Sequence, residues 1–290
     1  MSKLKALAYA KVNLGLEVLF RREDGYHEIR TLFQTVNFYD ELEFDRIDSS
    51  EIQLEGDDPA IPWDETNLIF KAAQLMQQKY RPEAGLKIKV KKKIPAGSGL
   101  GGGSSDAAVT LLALNRLWNL GLELQVLSDL ASSLGADVAY FLTGGLCLGE
   151  GKGERISPLK ELPPLPCIIA WPDYAISTAE IYDRYDERPA LTKESQPSRI
   201  IEFLERRRLK RLVNELEATI FEIYPGLREI KDFLLGEEAL ISAVSGTGSA
   251  VFALFLERDK AERALALLGS KVKAILTETL PRERYRPLLL

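Results

Sequence analysis

Apolar residues take the even positions from Ala8 to Val18, while Tyr9, Lys11, Asn13 and Glu17 fall on the odd ones. A period of two belongs to a β-strand, so Lys11 and Asn13 project from one face. "REDGYHE" interrupts the pattern as a turn, and "IRTLFQTVNFYDELEFD" resumes it as a second extended segment. "DETNLIFKAAQLMQQKY" then changes to helical spacing through Leu68, Ala72 and Leu75. "LKIKVKKKI" alternates again, with Leu86, Ile88 and Val90 opposite Lys87, Lys89 and Lys91. Helical spacing returns in "AAVTLLALNRLW" through Ala108, Leu111, Leu112 and Trp118.

Between that strand and that helix stands "PAGSGLGGGSSDAA", Pro95 to Ala108, with five glycines in fourteen residues. A surface turn needs one or two glycines, and each one in a helix costs about 1 kcal/mol. Ser104, Ser105 and Asp106 supply N-cap chemistry. A strand, a glycine loop and a helix N-terminus expose backbone amides beside a positive dipole end, an arrangement that favours phosphate. Three familiar glycine loops are tested by their partners. A P-loop needs Lys-Ser or Lys-Thr after the last glycine, and Ser104 follows Gly103 directly. Gly97, Gly99 and Gly102 spell GxGxxG, but the helix leads to another helical pattern, "LQVLSDLASSLG", not to a strand ending in an acid. A protein-kinase loop requires HRD and DFG, and neither occurs. A phosphate cradle of another kind remains.

Downstream, "SLGADVAYFLTGG" closes a helix at Gly135 and opens a short one near Asp137. "SPLKELPPLP" packs four prolines into ten residues, a candidate domain boundary. "CIIAWP" reads as a strand, "PSRIIEFLERRRLKRLVNELEATIFEIYPGL" as helices, and "ALISAVSGTGSAVFALF" as strand, glycine turn, strand. The expected class is α+β, in two domains spanning 1–160 and 161–290. A net charge of −5 argues against nucleic acid as partner. No apolar run approaches the roughly 20 residues of a membrane span. Two cysteines, and an N-terminus without a signal-peptide core, give the cytoplasm as the expected location. His27 is the sole histidine, which excludes zinc sites built from several histidines and leaves carboxylates, lysines, backbone dipoles and a hard metal for catalysis.

Lys11 in "AKVN", the glycine loop and "VSGTGSAVF" together resemble the GHMP kinase superfamily. Within it, "AKVNLGLEV", "DGYHEIRTLFQTV", "GLGGGSSDAA" and "LGADVAYFLTG" are similar to the branch whose acceptor is a CDP-linked methylerythritol, used in the non-mevalonate route to isoprenoid precursors. The resemblance spans Tyr9 to Phe252. It implies a two-domain fold, ribosomal-S5-like then ferredoxin-like, and transfer of phosphate from ATP with Mg2+ to a hydroxyl of that small-molecule substrate. It also implies residue roles. Asp137 takes the place of the catalytic base, against the plain alternative of a helix N-cap. Lys11 keeps Asp137 ionised and polarises the acceptor oxygen, against a solvent-facing strand lysine. Pro95, Ala96, Gly97, Ser98, Gly99, Leu100, Gly101, Gly102, Gly103, Ser104 and Ser105 form the ATP loop, with Asn67 and Lys92 on the adenosine side. Asn13, Tyr26, His27, Thr178, Tyr182, Gly246, Thr247 and Gly248 face the acceptor, with Tyr26 and His27 reading cytosine. A kinase for homoserine or mevalonate has no use for those two rings. A non-catalytic nucleotide sensor has no need of both Lys11 and Asp137.

Overall fold

A computed structural model describes residues 3–81, 83, 85–188, 198–269 and 272–285. The alternating start forms β1 (Lys3–Arg21), which turns back through residues 22–26 into β2 (His27–Ile47). The two strands pair antiparallel along nearly their whole length, and bulges at Tyr9/Ala10 and Asn13/Gly15 bracket Lys11 and Asn13. Two strands share the other edge of β2. β4 (Gly85–Lys91) takes its C-terminal part, and β5 (Leu146–Gly151) its N-terminal part. β3 (Ile52–Gly56) lies parallel to β4, and β6 (Arg155–Pro158) completes a six-stranded sheet beside β5. One face of this sheet is covered by α1 (Leu68–Tyr80), α2 (Gly102–Leu117) and α3 (Leu124–Leu134), which bury Leu4, Phe44, Ile88, Leu111 and Leu114 in a common core.

The first sheet ends at Pro158, and the second begins at Pro166 with β7 (Pro166–Trp171). β8 (Ile241–Val244), β9 (Val251–Leu254) and β10 (Lys273–Glu278) give it the antiparallel order β10-β7-β9-β8. Its helices are α5 (Thr178–Asp186), α6 (Arg199–Arg206), α7 (Glu217–Ile223), α8 (Pro225–Gly236) and α9 (Arg258–Leu268). The short α4 (Tyr140–Thr143) precedes β5, and α10 (Arg282–Tyr285) follows β10. Among the described residues no helix is long and apolar enough to cross a membrane.

The second sheet also buries the outer face of β1. Ala10, Val12 and Leu14 share a core with Ile169, Phe252 and Leu254. From Ala8 to Val18 both faces of β1 are therefore covered, although the alternation reads as a half-exposed strand. The polar residues that alternate with them, Lys11, Asn13 and Glu17, are buried as well. A buried ammonium has to find acceptors, and those it finds define the site.

Candidate active site

The glycine loop joins β4 to α2. Gly97, Gly99 and Gly101 have φ of 63°, 76° and 73°, in the left-handed region that favours glycine. Gly101 itself is the N-cap of α2, and no side chain caps the helix. Ser104, Ser105 and Asp106 thus lie inside the helix and do not cap it, because the left-handed glycine starts the helix earlier than the serines suggest. Ser105 N donates to Gly101 O at 2.9 Å, while the amides of Gly102, Gly103 and Ser104 precede the first intrahelical bond. These three residues line a cavity of about 1180 Å³. The neighbouring glycines answer different needs. A Cβ on Gly101 would stand 2.8 Å from the Phe141 ring, and one on Gly102 would stand 2.9 Å from Ile94. At Gly103 a Cβ would meet, among the described residues outside its own helix backbone, only Leu68 within 4 Å, at 3.9 Å, and the residue is exposed to the cavity.

Lys11 stands at the floor of the same cavity with its side chain 4% exposed. Its Nζ donates to Asn13 Oδ1 at 2.7 Å and Gly99 O at 2.9 Å, and reaches Asp137 Oδ2 at 3.2 Å. An ammonium has three protons, and all three are engaged. In this arrangement Lys11 holds the loop and the carboxylate and has no proton left over for an acceptor oxygen. Asp137 does not cap α4, whose N-cap is Ala139 without a side-chain bond. Its carboxylate is one-third exposed and meets Lys11 at the cavity wall. Asn13 is likewise committed: Nδ2 donates to Thr31 Oγ1 at 2.8 Å, and its carbonyl holds Lys11. It positions the lysine before it can meet any substrate hydroxyl.

Lys92 is not a surface residue. Its ammonium is clamped by Asp40 and by Asp106 Oδ2, at 2.7 Å from the latter. Asp40 is fixed in turn by the amides of Lys93 and Ile94. Burial raises the Asp106 carboxyl to about 7 against the pull of Lys92. Among the described residues its Oδ1 has no partner, and neither does the buried Ser105 Oγ. Asn67 lines the cavity and caps α1 by accepting from Ile69 N at 2.9 Å. Pro95, Ala96, Gly97, Ser98 and Gly99 also face the cavity. Leu100 is core, fully buried, and only its carbonyl reaches the site region by accepting Lys11 N. Leu100, Ser105 and Gly248 are the three expected site residues that do not line the cavity. A Cβ on Gly248 would meet Ile176 and Val244 at 3.2 Å, so that glycine serves packing.

At the opposite end the structure brings His27 and Tyr182 together as stacked rings 4.7 Å apart. His27 Nε2 meets Asp186 Oδ1 at 2.8 Å. Burial, then the nearby Asp137 charge, raises the Tyr182 hydroxyl above its ordinary range. Tyr26 stands apart, 59% exposed, with Lys152 Nζ 4.4 Å over its ring. Thr178 and Thr247 share a hydrogen bond of 3.0 Å, and Gly246 closes on Asn13 and Lys11. Sequence reasoning misses Asp40, Asp186 and Lys152. For Asp186 a signal exists, since it sits four residues after Tyr182 on one helical face. Asp40 lies 52 residues from Lys92, and no spacing rule joins them.

A carboxylate held by a buried lysine, facing a helix N-terminus across one cavity, suits phosphoryl transfer to a hydroxyl. The fold and this site define a small-molecule kinase of a known class. Residues 67–145 match the model of the GHMP kinases N terminal domain, and residues 193–274 match that of the GHMP kinases C terminal. The chain belongs to the GHMP kinase family. It is 37% identical over 281 residues to the 4-diphosphocytidyl-2-C-methyl-D-erythritol kinase of Caldicellulosiruptor bescii, covering 95% of this chain and 98% of that protein. The enzyme of the same name from Listeria monocytogenes is 36% identical over 265 residues, 90% of each chain. A crystal structure of 4-(cytidine 5'-diphospho)-2C-methyl-D-erythritol kinase superposes with a TM-score of 0.79 at 38% identity, covering 95% of this chain and 98% of that one. Homoserine kinase from Cytophaga hutchinsonii gives 0.79 at 20% identity, over 100% of this chain and 98% of that one, and shares the fold.

Proposed function

We propose that this protein transfers the γ-phosphoryl group of ATP to the 2-hydroxyl of 4-diphosphocytidyl-2-C-methyl-D-erythritol, as a step in non-mevalonate isoprenoid precursor synthesis. The observation that carries the reading is the 3.2 Å Lys11–Asp137 pair in the cavity that the α2 N-terminus also lines. Asp137 accepts the hydroxyl proton as the oxygen attacks phosphorus, and Lys11 holds the carboxylate in place from 3.2 Å. The amides of Gly102, Gly103 and Ser104, with the helix dipole, take the phosphate charge. Asn67 and Lys92 border the nucleotide, while His27, Tyr182 and Tyr26 serve the cytidine end. His27 and Tyr182 already stack on each other, so a base meets the outer face or edge of this pair, with Tyr26 free to close over it.

Magnesium fits as part of the ATP complex. Among the described residues no group of three acidic, His or Cys side chains forms a metal cage, and magnesium is commonly held by one or two carboxylates plus phosphate oxygens. Asp106 is the donor that fits, since it lines the cavity and its Oδ1 is unpartnered. Held there with the phosphate oxygens, the ion would neutralise charge developing on the phosphates. We take residues 1–160 as the ATP-binding domain and 161–290 as the substrate-side domain, meeting at the proline-rich connection. Two buried free thiols suit a reducing compartment, and the cytoplasm is the proposed location.

The test supplies ATP, magnesium and a panel of alcohols and follows ADP release. Turnover is expected with the CDP-linked alcohol. Turnover with homoserine or mevalonate in its place would overturn the substrate. Asp137→Asn is expected to keep both substrates bound while kcat falls by roughly 10² to 10⁴. Unchanged turnover there would remove the base.

A further inference from the structure

"LGADVAYFLTGG" ends in two glycines whose reason lies far away in the chain. Gly144 and Gly145 have φ of 64° and 71°. A Cβ on Gly144 would overlap the Tyr285 ring, and one on Gly145 would stand 2.8 Å from Arg282 Cβ. The glycines therefore admit α10 directly onto the end of α4. Tyr285 is buried, and its hydroxyl donates to Phe141 O. Burial holds that phenol far above its ordinary pKa, so it stays a donor. Arg282 grips the same turn, donating from Nε to Gly144 O at 3.1 Å and from Nη2 to Leu146 O at 2.7 Å, and its Nη1 pairs with Glu161 at 3.0 Å. The approach to α10 is fixed on the first sheet, where Leu280 N donates to Thr35 O at 2.8 Å.

Near neighbours of both halves of the catalytic pair touch this strap. The Tyr285 ring lies 5.7 Å from that of Tyr9, two residues before Lys11 on β1. Phe141, whose carbonyl takes the Tyr285 proton, lies four residues after Asp137, and its ring packs against Gly101. α4 has only four residues, and a helix that short cannot hold its own place. We propose that Tyr285 is a positioning residue for the Lys11–Asp137 pair, fixing α4 and hence the Asp137 carboxylate from the C-terminal strap. The inference rests on the functional reading above, which makes Asp137 the base.

Tyr285→Phe keeps the ring, its contact with Tyr9 and its fit over Gly144, and removes only the hydrogen bond. Small misplacements of a reacting group are costly, so kcat should fall about 3- to 10-fold while the KM values of ATP and acceptor stay within about twofold. The same change in an Asp137→Asn background should cause no further loss, because the group being positioned is already disabled. A folded Tyr285→Phe with wild-type kcat overturns the proposal, and so does an equal fold loss in both backgrounds. If Tyr285→Phe melts below the assay temperature, Arg282→Gln loosens the same strap and is read by the same two-background comparison. Full turnover in Asp137→Asn alone strikes the functional reading instead.

Discussion

Gly103 offers the cleanest separation of phosphate binding from folding. Gly101 is unsuitable for that purpose. Its φ of 73° and the Phe141 ring 2.8 Å from its missing Cβ mean that any side chain there strains the fold before it meets a ligand. Gly103 is helical, exposed and open, with Leu68 alone at 3.9 Å. Replacing it by Ala should raise stability by about 0.5–1 kcal/mol, the usual gain of Ala over Gly in a helix. In a protein of this size that corresponds to a melting temperature higher by about 1–3 °C. The new methyl enters the space where phosphate oxygens meet the first-turn amides. Losing one hydrogen bond to a charged group costs about 1.5–3 kcal/mol, so the ATP Kd should rise roughly 10- to 150-fold. Calorimetric titration with ATP beside a thermal melt reads both quantities on one sample. A variant that melts at or above wild type and binds ATP with wild-type affinity would falsify the cradle.

Asp106 gives a pH signature. Its folded carboxyl sits at about 7 against an ordinary 3.8, so between those values the folded protein keeps a proton that the unfolded chain has lost. The stability it contributes is complete below about 3.8 and disappears as pH rises through about 7. Relative to wild type, Asp106→Asn should therefore melt progressively higher from pH 4 to pH 7; a constant gap contradicts the assignment. His27→Ala removes the Asp186 bond and the Tyr182 stack, and should raise the acceptor KM about 10-fold or more with ATP affinity unchanged. Weaker ATP binding in that variant would mean that the two ends of the cavity have been exchanged.

Local periodicity makes β1, β2, the strand–loop–helix unit and the α+β class readable from the order of residues alone. It also places Lys11 and Asn13 on one face. It cannot show that this face is buried, because its cover comes from Gly99, Asp137 and Ser245, all far along the chain. Lys87 and Lys89 match the solvated face that their alternation implies and pair with Glu55, while Lys92, just beyond the strand, turns inward to two aspartates. The serines after the glycines carry capping chemistry in isolation, yet a left-handed Gly101 has already begun the helix. The nine cavity-lining members of Pro95–Ser104 are legible as one phosphate loop because they are contiguous. The Asp40–Lys92–Asp106 clamp and the Tyr285 seat are not, since only folding makes them neighbours.

Three segments that lie far apart in the chain converge on one atom. The carbonyl oxygen of Gly99 accepts Lys11 at 2.9 Å and the Ser245 hydroxyl at 2.9 Å, and Asn13 ties those two side chains together. The hub is main chain, so no codon change can delete it. Substitution can remove one spoke at a time, and each loss leaves the oxygen with another donor. Inherited damage at this centre should therefore come in grades, and descendants have room to drift in Ser245 or Asn13 while the loop stays moored.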